Sequence, residues 1–178
     1  MNTDVSRPHM ATPRKSAGLA AAVRAVNALF ARIPHSPVAL LARLSIAAVF
    51  WASGQTKVKN FSLNFVTGEF ELGWPRLSDS VVDLFIDEYK VPLLSPQIAA
   101  PLTTIAEHVL PLLLLFGLAT RLSAFALLCM TAVIQVFVYP AAYATHGTWA
   151  AVLLYLMMTG PGRISIDHWL ATRARQRA

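Results

Sequence analysis

Glu107 and His108 stand side by side in "TTIAEHVLPLLLLFGLATR", an apolar run with no further charge until Arg121. A carboxylate can trade a proton, balance a cation or accept a hydrogen bond, and an imidazole changes charge close to neutral pH. Pro111 adds a third polar group, because it has no N–H to offer the carbonyl of Glu107 four residues earlier. In hydrocarbon each of these groups must find a neighbour or water. Ionisable residues inside membrane segments therefore mark candidate functional sites.

Other polar side chains fall at comparable depth. With a rise of about 1.5 Å per residue, Glu107 lies roughly 18 Å from the Arg121 end of its helix. Gln135 lies roughly 20 Å up the following helix and Trp51 roughly 20 Å up the first. Tyr139, Gln55 and Lys57 stand one or two turns beyond. Arg43 is lower, roughly 8 Å in, with a stem able to climb toward Glu107. The candidates for a polar layer are Arg43, Trp51, Lys57, Glu107, His108, Gln135 and Tyr139. Two readings stay open for Glu107: an ion-pair lock with Arg43 or Lys57, and a site for a proton, a quinone or another ligand. Gln135 also reads as an interhelical hydrogen bond, and Tyr139 and Trp149 as interface anchors. No metal site is expected. Adjacent residues on a helix point about 100° apart, and no second histidine lies at i+4 or in another span.

The elements that position these residues are read from composition. The chain has 178 residues, 56% apolar and only 13% charged, with a net charge of +6. So low a charged fraction fits a membrane protein. The basic residues gather in the N-terminal segment, at Arg121 and in the C-terminal "RARQR" instead of on one face, which excludes a nucleic-acid surface and reads as topology. A single cysteine, Cys129, cannot perform dithiol exchange and reads as a small buried hydrophobe. No dinucleotide fingerprint, P-loop or CxxC occurs, so an enzyme acting on its own is not expected.

Residues 1–16 read as a disordered cytoplasmic tail. Across 17–33, Leu19, Val23, Val26, Phe30 and Ile33 form one face broken by Arg24 and Arg32, the pattern of an interfacial amphipathic helix. The membrane domain covers 34–170, with spans expected at 38–55, 98–119, 122–139 and a short fourth one around "GTWAAVLLYLMMTG". Residues 171–178 form a basic tail. In the connection 56–97, "LSDSVVDLFIDEYK" places Val82, Phe85, Ile86 and Tyr89 on one face, so a short helix is expected on the outer membrane surface. The Lys/Arg distribution puts both termini in the cytoplasm. The fold class is all-α: a four-helix transmembrane bundle with an N-terminal interfacial helix and a short outer-face helix between spans 1 and 2.

In "RLSIAAVFWASGQTKV", "AEHVLPLLLLFGLATRLSA" and "GPGRISIDHWL" the chain resembles the DoxX family of small four-helix membrane proteins. Arg43, Gly54, Lys57, Glu107, Gly117, Thr120, Arg121, Gly160, Gly162 and Asp167 follow the family pattern in order. The resemblance implies a bacterial inner-membrane protein that serves redox, respiratory or stress-response partners, with a quinone or similar small hydrophobic ligand. Two other functions remain in play: a small permease or exporter component for a metal complex or proton-coupled solute, and a structural anchor for soluble partners.

Overall fold

The computed structural model describes residues 15–64, 67–92 and 94–177. Two units are distinguished, Met1–Pro34 and His35–Ala178. The first contains α1 (Lys15–Phe30), where Leu19, Val23, Val26 and Phe30 form an exposed apolar stripe. Most of the tail expected to be disordered, residues 1–14, lies outside the described residues.

The second unit opens with α2 (His35–Gln55), which passes into the strands β1 (Val58–Asn64) and β2 (Glu69–Leu77). Helix α3 (Ser80–Leu84) follows and widens into a π turn, Phe85–Tyr89. Next come α4 (Pro96–Phe116) and α5 (Thr120–Val133), the latter again widening into a π turn at Ile134–Val138. A 3-10 turn, Pro140–Ala142, leads to α6 (Tyr143–Thr159), and α7 (Ile166–Arg177) ends the described chain. Three helices are long and apolar enough to cross a membrane: His35–Gln55, Pro96–Phe116 and Thr120–Val138. Helix α6 is shorter, at 17 residues.

Helix α2 packs on α4, α4 on α5, α5 on α6, and α6 returns to α2. Their shared core contains Ala39, Ile46, Phe50, Leu114, Leu127, Leu153 and Leu156. A smaller cluster of Val81, Phe85, Ala99 and Ala100 seats α3 and its π turn on the start of α4. Helix α4 shows what solvent the unit is built for. Its exposed stripe is wholly apolar (Ile98, Leu102, Ile105, Val109, Leu112, Phe116), whereas its buried stripe carries Thr104 and Glu107. A helix in water would bury the first stripe and expose the second. Apolar side chains outside and ionisable ones inside are the arrangement of a helix facing lipid.

Three expectations change. The chain is mostly helical but not all-α: β1 and β2 form an antiparallel hairpin where only a short helix was expected, with Leu63 opposite Phe70 and Phe61 opposite Leu72. Helix α4 stops at Phe116 instead of 119, because Gly117 adopts a left-handed φ of 66° and the N–H of Leu118 bonds back to the carbonyl of Leu113 at 2.8 Å. Cys129 is exposed on α5, not buried.

Candidate functional site

Helix α4 turns Glu107 inward, and Lys57 reaches it from the turn that follows α2. Lys57 Nζ lies 2.7 Å from Glu107 Oε2, with both side chains only 3% exposed. Ser53, one turn earlier on α2, joins the two. Its hydroxyl donates to Glu107 Oε1 at 3.0 Å, and Lys57 donates to Ser53 Oγ at 3.0 Å and to the Ser53 carbonyl at 3.2 Å. Gly54 permits the approach. A Cβ there would stand 2.9 Å from the His108 ring and 3.1 Å from Glu107 Cβ, so any side chain would push α2 off α4. Lys57 is the charge partner of Glu107 Oε2, an oxygen that is itself fully buried.

Glu107 forms part of the wall of a cavity of about 160 Å³, together with Ser53, Tyr89, Tyr139, His146 and Trp149. Apart from Thr103 the rest of the lining is apolar, supplied mainly by α2 and α5. His146 is 5% exposed and stacks near Trp149, centroid to centroid 5.0 Å. Its Nδ1 is 2.8 Å from Gln135 Oε1, and Gln135 Nε2 donates to the carbonyl of Pro140 at 2.7 Å. That second bond fixes the amide orientation, so Nδ1 donates to Gln135, and in the neutral imidazole Nε2 is an acceptor. The cavity wall therefore carries two acceptor groups, the Glu107 carboxylate and the neutral His146 imidazole.

At the hairpin end the two π turns touch. Tyr139 donates its hydroxyl to the carboxylate of Glu88, and Tyr89 meets Tyr139 edge to face at 6.0 Å. The hydrogen bond to Glu88 pushes the Tyr139 hydroxyl well above its ordinary range, with burial adding to the effect. Burial is the main cause of a similar rise at Tyr89. Ionising either phenol would set a second anion near a carboxylate, so both remain neutral.

His108 belongs to a different cluster. It points away from Glu107 across Gly54, as adjacent helical positions must. Nδ1 donates to the Thr104 carbonyl at 2.8 Å and Nε2 accepts from Gln55 Nε2 at 2.9 Å. Both ring nitrogens are engaged, which fixes His108 as a neutral pin. Gln55 Oε1 takes the N–H of Leu63 at 2.7 Å, Trp51 Nε1 donates to the Leu63 carbonyl at 3.2 Å, and Trp51 packs edge to face on His108 at 5.1 Å. Trp51, Gln55 and His108 thus clamp β1 to the helices.

The expected reach of Arg43 to Glu107 is not what the structure has. Arg43, 1% exposed, donates to the carbonyl of Ile164 and lies 3.5 Å from that of Leu114, at the Gly117 end. The Ile164 carbonyl, in the loop before α7, and the Leu114 carbonyl near the end of α4 are nearer to the guanidinium than a carboxylate two turns up α4. Among the sequence candidates, Lys57 and Glu107 meet directly, Tyr139 lines the same cavity as Glu107, and Gln135 joins them through His146. Trp51 and His108 form the neighbouring clamp, and Arg43 stands apart. Ser53, Glu88, Tyr89 and His146 were missed. The hydroxyl four residues before Lys57 was a readable signal for Ser53, since i and i+4 share a helix face.

The family model described as DoxX matches residues 38–140, more than half of the chain and the stretch holding Lys57, Glu107, Gln135 and Tyr139. This chain belongs to the DoxX family. No curated protein and no solved structure matches it. Family membership and the apolar helices together make it an integral membrane protein associated with the lipid bilayer. The residues that carry the DoxX pattern fall into two groups with separate jobs. Gly54 and Lys57 hold Glu107 in place, and Glu107 lines the cavity. At the opposite end, a Cβ on Gly117 would lie 2.0 Å from Arg43 Nη1, Asp167 accepts the N–H groups of Ala119 and Thr120 at 2.8 and 2.9 Å, and Arg121 Nε donates to the Met157 carbonyl at 3.0 Å. That second group terminates helices.

Proposed function

We propose that this DoxX protein is an accessory subunit of a redox or stress-response system in the bacterial inner membrane, and that its cavity binds the ring of a quinone-type ligand in the hydroxylated, reduced form. The observation that carries this reading is the cavity itself: about 160 Å³, apolar except where Glu107, His146, Ser53, Thr103 and the two tyrosines meet it. A dry cavity of roughly 150 Å³ is known to accept one benzene ring. The Glu107 carboxylate and the neutral His146 imidazole are acceptor groups, which match the two O–H groups of a hydroquinone better than the two carbonyls of a quinone.

In this reading α6 is a fourth span, closing a four-helix transmembrane bundle. Its 17 residues cover about 26 Å of a roughly 30 Å core, so the bilayer thins slightly there. Both termini face the cytoplasm, following the basic residues, and the hairpin end faces outward. What weighs against a permease is the tight packing between the cavity and the Gly117 end, where Leu114, Leu127, Leu153 and Leu156 are fully buried.

Purification from native membranes in mild detergent, followed by solvent extraction and mass spectrometry, tests the proposal. An isoprenoid quinol should accompany the wild-type protein, together with soluble or membrane redox partners, and Glu107→Gln should lose the quinol. Recovery of lipid alone from both proteins would refute it.

A further inference from the structure

The hairpin presents a second surface. Along β2, Phe70, Leu72 and Trp74 alternate with Glu69, Glu71 and Gly73. Period two puts Phe70 and Leu72 on one face and Glu69 and Glu71 on the other, and Trp74 follows in the bulged stretch between Leu72 and Arg76. Cross-strand partners extend the apolar face, with Leu63 opposite Phe70 and Phe61 opposite Leu72. Phe70 is 58% exposed, Leu72 81% and Trp74 83%. A continuous row of that kind marks a contact surface, whereas scattered exposed apolar residues do not.

Its place in the fold says what the row contacts. The hairpin starts three residues after the end of α2, a helix long and apolar enough to cross the membrane. Its base is closed by the N–H of Ser78 on the carbonyl of Lys57 at 2.9 Å. Trp51 and Gln55 hold both polar groups of the Leu63 peptide unit, so β1 lies against the last turns of α2 instead of rising away from them. The apolar row is therefore continuous with the lipid-facing surface of α2 at the level where that helix meets the headgroups. The hairpin cannot sit deeper. Among the described residues β2 has no strand neighbour on its outer edge, and strand edges of that kind are not placed in hydrocarbon. A strand added by a partner protein fits that edge poorly, because Pro75 removes one of its donors.

We propose that the Phe70–Leu72–Trp74 face is a monotopic membrane anchor, seated in the boundary between headgroups and acyl chains of the leaflet at the hairpin end. Trp74 supplies the interfacial indole, Phe70 and Leu72 enter the acyl boundary, and Glu69 and Glu71 face water. The anchor holds the Lys57 turn against α2, and its action does not depend on the ligand of the cavity.

Site-directed spin labels on Leu72→Cys and Glu71→Cys, each in a Cys129→Ala background and reconstituted in phospholipid nanodiscs, test this. The label at 72 should relax several-fold more with oxygen than with a water-soluble nickel chelate, and the label at 71 should show the reverse. Equal nickel access at both positions would place the row in water. Shielding of position 72 from both reagents would mean that protein, a partner or a second copy, covers it. Either result overturns the proposal. A check on the otherwise unaltered chain uses lipids brominated near the headgroup. They should quench tryptophan emission in the wild type, and Trp74→Phe should remove much of that quenching; an unchanged quench in Trp74→Phe would also overturn it.

Discussion

Lys57 Nζ and Glu107 Oε2 lie 2.7 Å apart with both side chains 3% exposed, and Ser53 hydrogen-bonds to both residues. A buried pair of this kind costs desolvation on both sides, so its net contribution is smaller than the cost of breaking it. Glu107→Gln leaves Lys57 as an uncompensated buried cation and is expected to destabilise the protein by about 3–5 kcal/mol. Combining it with Lys57→Met should recover most of that loss, measured by unfolding in mixed micelles.

Arg43 gives the contrasting case. Replacing Arg43 with Leu removes its bond to the Ile164 carbonyl and opens the end of α4, for an expected loss of about 1–3 kcal/mol. Its effect should add to that of Glu107→Gln within roughly 0.5 kcal/mol, because the two residues share no partner. A double-mutant cycle gives the coupling directly.

Tyr139 yields a pH prediction with a definite sign. Its folded-state ionisation is raised by the hydrogen bond to Glu88. A group raised in this way contributes stability that is fully present below its unfolded value, about 10 for tyrosine, and is lost as pH rises through the folded value. Thermal stability should fall above about pH 10, and Tyr139→Phe should flatten that fall. Absorbance at the tyrosinate band should lose its most alkaline component in the same variant.

Topology is open to direct measurement. Reporter fusions after Arg121 and at the C-terminus should report cytoplasm, and fusions at Phe70 and His146 the outside. A cytoplasmic signal at Phe70 would overturn the proposed orientation.

Much of the architecture was legible because each long helix is a mainly apolar run of spanning length, and Glu107 falls near the middle of α4. Depth does not give direction or partner. Arg43 and Lys57 lie 14 residues apart, about 40° around one helix, so both faced the right way for Glu107. The roughly 21 Å between them along the axis separates a helix cap at one end from an ion pair at the other. The hairpin was also written in the sequence, since "EFELGW" alternates polar and apolar residues after a Thr67-Gly68 turn, but nearby helical spacing in "VVDLFIDEY" drew the reading toward a single helix. His146 could not be found by spacing. Only the packing of α6 on α5 sets its ring beside Gln135 and at the cavity that Glu107 lines.

Calorimetric titration of the protein in nanodiscs with a short-tailed hydroquinone and with its oxidised quinone tests the central claim most directly. A hydrogen bond to a charged acceptor contributes about 1.5–3 kcal/mol, so the hydroquinone should bind one site at least roughly tenfold more tightly than the quinone. His146→Leu, which removes the neutral acceptor and leaves the charged Glu107 acceptor in place, should reduce that preference several-fold while the protein stays folded. Equal affinity for the two redox forms, or a preference unchanged in His146→Leu, would contradict the account.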